Sequence, residues 1–281
     1  MKITHVVRAE EHLSNTPRQI LLYQALGLPL PIFGHVSLIL GKDRSKMSKR
    51  HGATSVEQYR ALGYLPEALV NFLALLGWSP VGEQEIFSSA ELIELFSLDH
   101  VAKNPAVFDI DKLNWINSQY LKRLDLGSLT DMALPHLREA GLVVGELNEE
   151  RHEWVKQVVG AVREYISFAA QIPEHAAVFF QDEITMENDE TAEILRDPDV
   201  PQVMEAFLHK LAVMENVNAE QVQAALKAVG KELKLGGKKV FMPVRVALTG
   251  KMHGPELIAL IPLLGVERTT ARIRRSLALL N

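Results

Sequence analysis

The chain has 281 residues, 47% of them hydrophobic, 23% charged and none of them cysteine. That length holds two or more packed units, and the lack of cysteine excludes disulfides, thiol nucleophiles and thiolate-held zinc. The formal net charge of −5 conceals a division, since residues 1–60 carry +5, residues 61–226 carry −18 and residues 227–281 carry +8; a polyanion would meet two cationic ends around an acidic middle.

Ile3 to Val7 is a short β-branched run that predicts a strand, with Arg8-Ala9-Glu10-Glu11 at its carboxyl end, where open α/β sheets bind ligands. Pro17 suits the first turn of a helix from about Arg18 to Ala25, ended at Gly27, with Ile20, Leu21, Leu22 and Leu26 expected on a buried face. His35 to Leu40 reads as the next strand. It delivers the chain to Gly41 and then to Lys46-Met47-Ser48-Lys49-Arg50, a cationic run followed by His51-Gly52. Ammonium groups on such a loop act as point charges that can neutralise a leaving pyrophosphate. A solvated basic loop is the bland alternative.

Ser55 is expected to cap a helix, and Pro66 to open another that buries Leu69, Val70, Phe72, Leu73 and Leu76 until Gly77 stops it. Leu98 to Phe108 reads as irregular, after which Asp109 or Asp111 could cap a helix through Leu121; Trp115 is expected in the core with Phe72. From Ser128 the pattern is helical: Leu129 to Ala140, Glu150 to Ala170 ending before Pro173, a loop-rich acidic crossing from Gln181 to Asp199, then helices around Val203 to Leu211 and after a capping Asn218. Gly236 to Gly250 and His253-Gly254-Pro255-Glu256-Leu257 bracket Arg245 with glycine and proline, a pattern suited to a rigid surface on which unstacked bases lie. A structural ion pair is the competing role for Arg245. Arg268, Arg272, Arg274 and Arg275 lie on a closing helix and either follow phosphates or solvate it.

Thr4 to Gln19, Lys46 to Val56, Tyr64 to Leu69, Leu113 to Asn117 and the Arg245 stretch together resemble a class I aminoacyl-tRNA synthetase, most closely a bacterial-type glutamyl-tRNA synthetase. The resemblance runs from Ile3 to the last helix. It implies a mainly α chain: the C-terminal remnant of a Rossmann-type α/β catalytic domain (1–54), a stem-contact module (55–125) and an all-α anticodon-binding domain in two subdomains (126–175 and 176–281). The family's first signature, His-Ile-Gly-His, has no match, so the chain is expected to be a C-terminal portion of a longer enzyme.

The resemblance also implies roles. ATP with Mg²⁺ and L-glutamate would form glutamyl-adenylate, and the glutamyl group would pass to the 3′ end of tRNA(Glu). Lys46 and Lys49 would be catalytic. Glu11, His12, Ile39, Lys46, Met47, Ser48 and Lys49 would bind ATP, and Arg8 would face the glutamate carboxylate. Arg245, Gly254, Pro255, Leu257 and Arg163 would touch the anticodon. In that family an arginine ahead of the residues matching Ser167-Phe168 discriminates glutamate from glutamine anticodons; Glu164 aligns there, with Arg163 beside it, which leaves tRNA(Gln) open as a second substrate. A catalytically silent tRNA-binding relative is the alternative, and the intact loop speaks against it. Glutaminyl specificity is weaker, because that family has a largely β anticodon domain and residues 126–281 read as helical. The ten histidines include no HxxxH or HxH pair, so no protein-held metal is expected. No apolar run is long enough to cross a bilayer, and a cytoplasmic monomer is the expectation.

Overall fold

The computed structural model describes residues 2–48, 52, 55–214 and 217–278. The chain divides into two compact units, Met1–Arg123 and Leu124–Asn281.

The first unit begins β1 (His5–Ala9), a 3-10 turn (Glu10–Asn15), α1 (Thr16–Ala25), β2 (Ile32–Val36) and β3 (Ile39–Leu40). It continues with α2 (Val56–Leu62), α3 (Pro66–Leu75), α4 (Ser89–Leu95), β4 (Ala106–Val107) and α5 (Ile110–Arg123). β1 and β2 are parallel, in register from His5 opposite Ile32 to Ala9 opposite Val36, and α1 connects them. Pro17 lies in the first turn of α1, where its missing N–H costs nothing. Ser55 and Ser88 start α2 and α4 with reciprocal capping boxes to Gln58 and Glu91. The core gathers Tyr59, Tyr64, Ala68, Phe72, Leu113 and Ile116. Asn71 is fully buried and ties α3 to the following loop: its Nδ2 donates to Glu85 O at 3.0 Å and its Oδ1 accepts from Phe87 N at 2.8 Å.

Five expectations change here. The strand expected over His35 to Leu40 is two strands, because Leu38 and Leu40 carbonyls leave β2 and accept from Ala106 N and Phe108 N at 3.3 and 2.8 Å. β4 thus lies inside the stretch read as irregular, and β3 pairs with it in parallel. The α1 face is not buried, since Leu21, Leu22 and Leu26 are 65%, 61% and 70% exposed, and among the described residues α1 packs chiefly against the 3-10 turn that precedes it. On α3 the buried side chains are Ala68, Asn71 and Phe72, while Val70 and Leu73 face solvent. Trp115 is 43% exposed because the buried face of α5 runs through Leu113, Ile116, Asn117 and Leu121, a helical stripe that leaves position 115 on the far side.

The second unit is helical throughout its described residues: α6 (Leu126–Glu139), α7 (Glu149–Val162), α8 (Ile172–Phe180), α9 (Asp189–Leu195), α10 (Val200–Ala212), α11 (Ala219–Leu233), α12 (Gly237–Thr249) and α13 (Leu257–Ala278). Asp125, Asn148, Asn188 and Asn218 cap α6, α7, α9 and α11 through their side chains. The helix expected over Glu150 to Ala170 ends early. Two 3-10 turns follow it, and Pro173 then sits in the first turn of α8 instead of simply closing the preceding helix. The acidic crossing contains α9. α13 breaks at Gly265, whose φ of 76° and ψ of 169° leave the helical region. Fully buried Leu129, Val158, Phe179, Phe207, Leu226, Val244, Leu260 and Ile273 form the interior.

Candidate functional site

Two sites of different chemistry emerge, one in each unit. In the first, Arg8 at the end of β1 is half-buried and its Nη2 donates to Thr16 Oγ1 at 2.9 Å and Gln19 Oε1 at 2.6 Å. Thr16 Oγ1 in turn lies 3.1 Å from His12 O and 2.9 Å from His35 Nε2. Both acceptors of Arg8's hydrogen bonds are neutral, and no carboxylate pairs with it among the described residues; its Nε is buried without a partner. A guanidinium positioned by neutral groups keeps its charge for an anion.

Near it the cationic run begins on a tight turn. Gly41 N donates to Ser45 O at 2.8 Å, and Met47 N donates to Ile39 O at 3.3 Å, folding the chain back along β3. Arg44 takes a left-handed φ of 60° at the tip. Lys46 Nζ donates to Glu11 Oε2 at 2.7 Å, and the same carboxylate stands 3.9 Å from His12 Nε2. The hydrogen bond and charge of Lys46 hold the Glu11 carboxyl below its ordinary range. Both partners are solvent-exposed, so the pair is easily exchanged for another anion on the lysine.

The second unit contains a groove of about 760 Å³ between the α8 end, α12 and the loops after each, lined by Tyr165, His175, Met242, Arg245, Thr249 and His253 among others. Arg245 Nη1 donates to Gly254 O at 3.0 Å and Pro255 O at 2.7 Å, so the arginine props the glycine-proline loop that forms one wall. The competing ion-pair role is not seen among the described residues: the partners of Arg245 are carbonyls. Tyr165 and His175 rings lie 6.1 Å apart at 32°. Aromatic faces and a planar cation make a surface on which an unstacked base can lie and be hydrogen-bonded at its edge.

A family model described as tRNA synthetases class I (E and Q), catalytic domain, matches residues 1–115, and one described as anticodon binding domain matches residues 128–277. The chain is 55% identical over 277 residues to a glutamate–tRNA ligase of Desulforamulus reducens, covering 99% of this chain and 58% of that one. To the glutamate–tRNA ligase of Heliobacterium modesticaldum it is 58% identical over 276 residues, 98% of this chain and 56% of that one. A solved glutamate tRNA ligase from Elizabethkingia meningosepticum, in complex with its amino acid, matches all of this chain and 58% of its own at a TM-score of 0.85 and 31% identity. The chain belongs to the glutamyl-tRNA synthetase family of class I.

It spans somewhat more than half the length of these glutamyl-tRNA synthetases. Of the residues expected to act, Arg8, Glu11, His12, Ile39, Lys46 and Met47 meet at the carboxyl end of β1 and the turn after β3, with Ser48 next in line; Lys49 lies outside the described residues. Arg245, Gly254 and Pro255 meet in the groove. Leu257 is 3% exposed and packs into the core as the first residue of α13. Arg163 donates to Leu124 O and does not line the groove. Tyr165 and His175 have no role legible in the sequence, nor do Thr16, Gln19 and His35 around Arg8, because each reaches its site across a turn or a crossover that leaves no spacing signal; Thr249 stands one turn after Arg245 on α12. Arg268 and Arg272 are structural: they donate to the carbonyls of Phe179, Val178 and Gln181 that end α8.

Proposed function

We propose that this chain supplies the cationic loop and the RNA-reading surface of a glutamate–tRNA ligase, which activates L-glutamate with ATP and transfers it to the 3′ end of tRNA(Glu). The observation that carries this reading is identity of 55–58% to glutamate–tRNA ligases along almost the whole chain. In this reading Arg8 pairs with the substrate carboxylate. Glu11 and His12 lie by the adenosine, and Ile39 and Met47 flank its base. Lys46, with Lys49, leaves its resting partner to stabilise the phosphates, and Mg²⁺ arrives with the nucleotide as part of the substrate. The groove takes anticodon bases, Arg245 holding its wall and offering its remaining donors to them.

Among the described residues no helix is long and apolar enough to cross a membrane, and no group of three metal-binding side chains occurs. The proposal is of a monomeric cytoplasmic protein with no metal of its own.

The test is binding of the 281-residue chain to a tRNA(Glu) transcript and to one with altered anticodon bases, at two salt concentrations. Tighter binding of the first by about 10-fold or more, reduced by Arg245→Ala, is expected, since each base contact contributes about 1–3 kcal/mol. Equal, steeply salt-dependent binding of both would reduce the groove to a non-specific phosphate contact.

A further inference from the structure

The turn that carries Lys46 is internally stiff. Its ends close on Gly41 N to Ser45 O at 2.8 Å, Arg44 N donates to Gly41 O at 2.9 Å, and the Asp43 carboxylate accepts from Ser45 N at 2.9 Å and Ser45 Oγ at 2.8 Å. It rides on β3, a strand of only two residues. A stiff turn on so short a stalk can pivot, and what it is tied to decides where its lysine points.

Two ties lead to the start of α5. The first is the strand pair, Ile39 with Ala106 and Leu40 with Val107, extended by Phe108 N donating to Leu40 O at 2.8 Å. The chain then passes directly into Asp109, whose Oδ1 accepts from Asp111 N at 3.0 Å in the opening turn of α5. The second is Lys42, whose Nζ donates to Asp111 Oδ2 at 2.6 Å and lies 3.8 Å from Asp109 Oδ1. Both carboxylates stand at a helix N-terminus, which favours negative charge and fixes their position.

We propose that Lys42 and Asp111 are positioning residues that clamp the cationic loop to the N-terminus of α5, so that the loop's phosphate-facing lysine is presented from that helix. Lys42 is the cation for the clamp and Lys46 the cation for the ligand: the first is engaged by two carboxylates, Asp109 just before α5 and Asp111 in its first turn, the second by one, Glu11 on the 3-10 turn after β1, and all three carboxylates are exposed. A polyphosphate can displace Glu11 from Lys46 while the Lys42 contact holds the turn in place. The inference rests on the reading of this loop as a polyphosphate site, and the geometry of the clamp is independent of it.

Hydrogen exchange followed by mass spectrometry on the 281-residue chain reads the clamp directly. Lys42→Met and Asp111→Asn should each speed exchange of the Arg44-to-Met47 amides by about two- to five-fold, the effect of losing one exposed ion pair. The charge-swapped double variant, Lys42→Glu with Asp111→Lys, should return exchange to within about two-fold of the parent. Unchanged exchange in both single variants, or no recovery in the swap, overturns the clamp.

Binding of inorganic tripolyphosphate separates positioning from direct contact. If Lys42 positions the loop, Asp111→Asn weakens binding as Lys42→Met does. If Lys42 instead touches phosphate, freeing it with Asp111→Asn strengthens binding while Lys42→Met weakens it, and the proposal fails. Absence of tripolyphosphate binding in the parent chain would count against the polyphosphate site, while the exchange result still decides the clamp.

Discussion

Arg272 is 3% exposed, and its guanidinium donates to Leu248 O at 2.8 Å and Val178 O at 2.7 Å, with a further bond to Gln181 O. Those are carbonyls that α8 and α12 leave without helical partners, at the negative ends of both helices. Burial lowers the Arg272 pKa to about 10, with the neighbouring Arg268 charge adding to the effect, so the group is still a cation at neutral pH and its charge must be offset by those carbonyl dipoles. Replacing Arg272 by Ala strands several buried acceptors and should cost about 3 kcal/mol in urea unfolding. Lysine, with a charge but no planar fork, should recover less than half of that. A loss under about 1 kcal/mol for the alanine variant would mean that water satisfies the carbonyls. Arg245 belongs to the same basic segment and has a similar set of partners, yet it faces the groove. Nothing in the spacing of the two arginines separates them: the difference is which carbonyls meet each one, and those belong to distant turns. The glycine-proline bracket around Arg245 was legible; the structural work of Arg272 was not.

At the scale of elements, the groove depends on one close approach. Gly250 ends α12 with φ of 69°, and its carbonyl accepts from Glu187 N at 2.9 Å in the loop after α8. A Cβ there would stand 2.1 Å from Thr185 O. Gly250→Ala combines left-handed strain with a backbone clash, so it should destabilise the chain by about 2–4 kcal/mol and push the loop containing Ile184, Thr185 and Glu187 off the groove. Thermal unfolding checks the first effect. Loss of discrimination between tRNA transcripts at a temperature where the variant remains folded checks the second. That a glycine stops this helix is readable from its place after Thr249. That it also admits a second chain segment is not, because Thr185 lies in an acidic stretch with no pattern of its own. The same reason hid β4: a strand of two residues with one partner has no period to detect, and its existence is decided by Leu38 and Leu40 on the other side of the loop.

For the whole molecule, helical periodicity and turn residues were enough to identify a mainly α chain with an α/β beginning, and the family resemblance supplied the order of its parts. Burial was less legible around α1 and β2. Leu21, Leu22, Leu26, Leu28, Leu30 and Ile32 are all at least half exposed around α1 and β2, although parallel sheets are ordinarily covered on both faces. The chain spans about 58% of the length of the Desulforamulus reducens ligase, and its first 115 residues match a catalytic-domain model. A hydrophobic pattern records that a face is to be buried without recording which segment does it. This gives a clear contrast in stability. Leu21→Gln with Leu22→Gln should change the unfolding free energy of the 281-residue chain by no more than about 0.5 kcal/mol, because both side chains already stand in water. Leu129→Ala, by contrast, empties a site that is 0% exposed and should cost about 2–5 kcal/mol. Urea unfolding of the two variants beside the parent measures both. A large loss for the α1 pair would show that this face is covered in solution by something other than the residues around it, and its exposed leucines would then have to be counted as core.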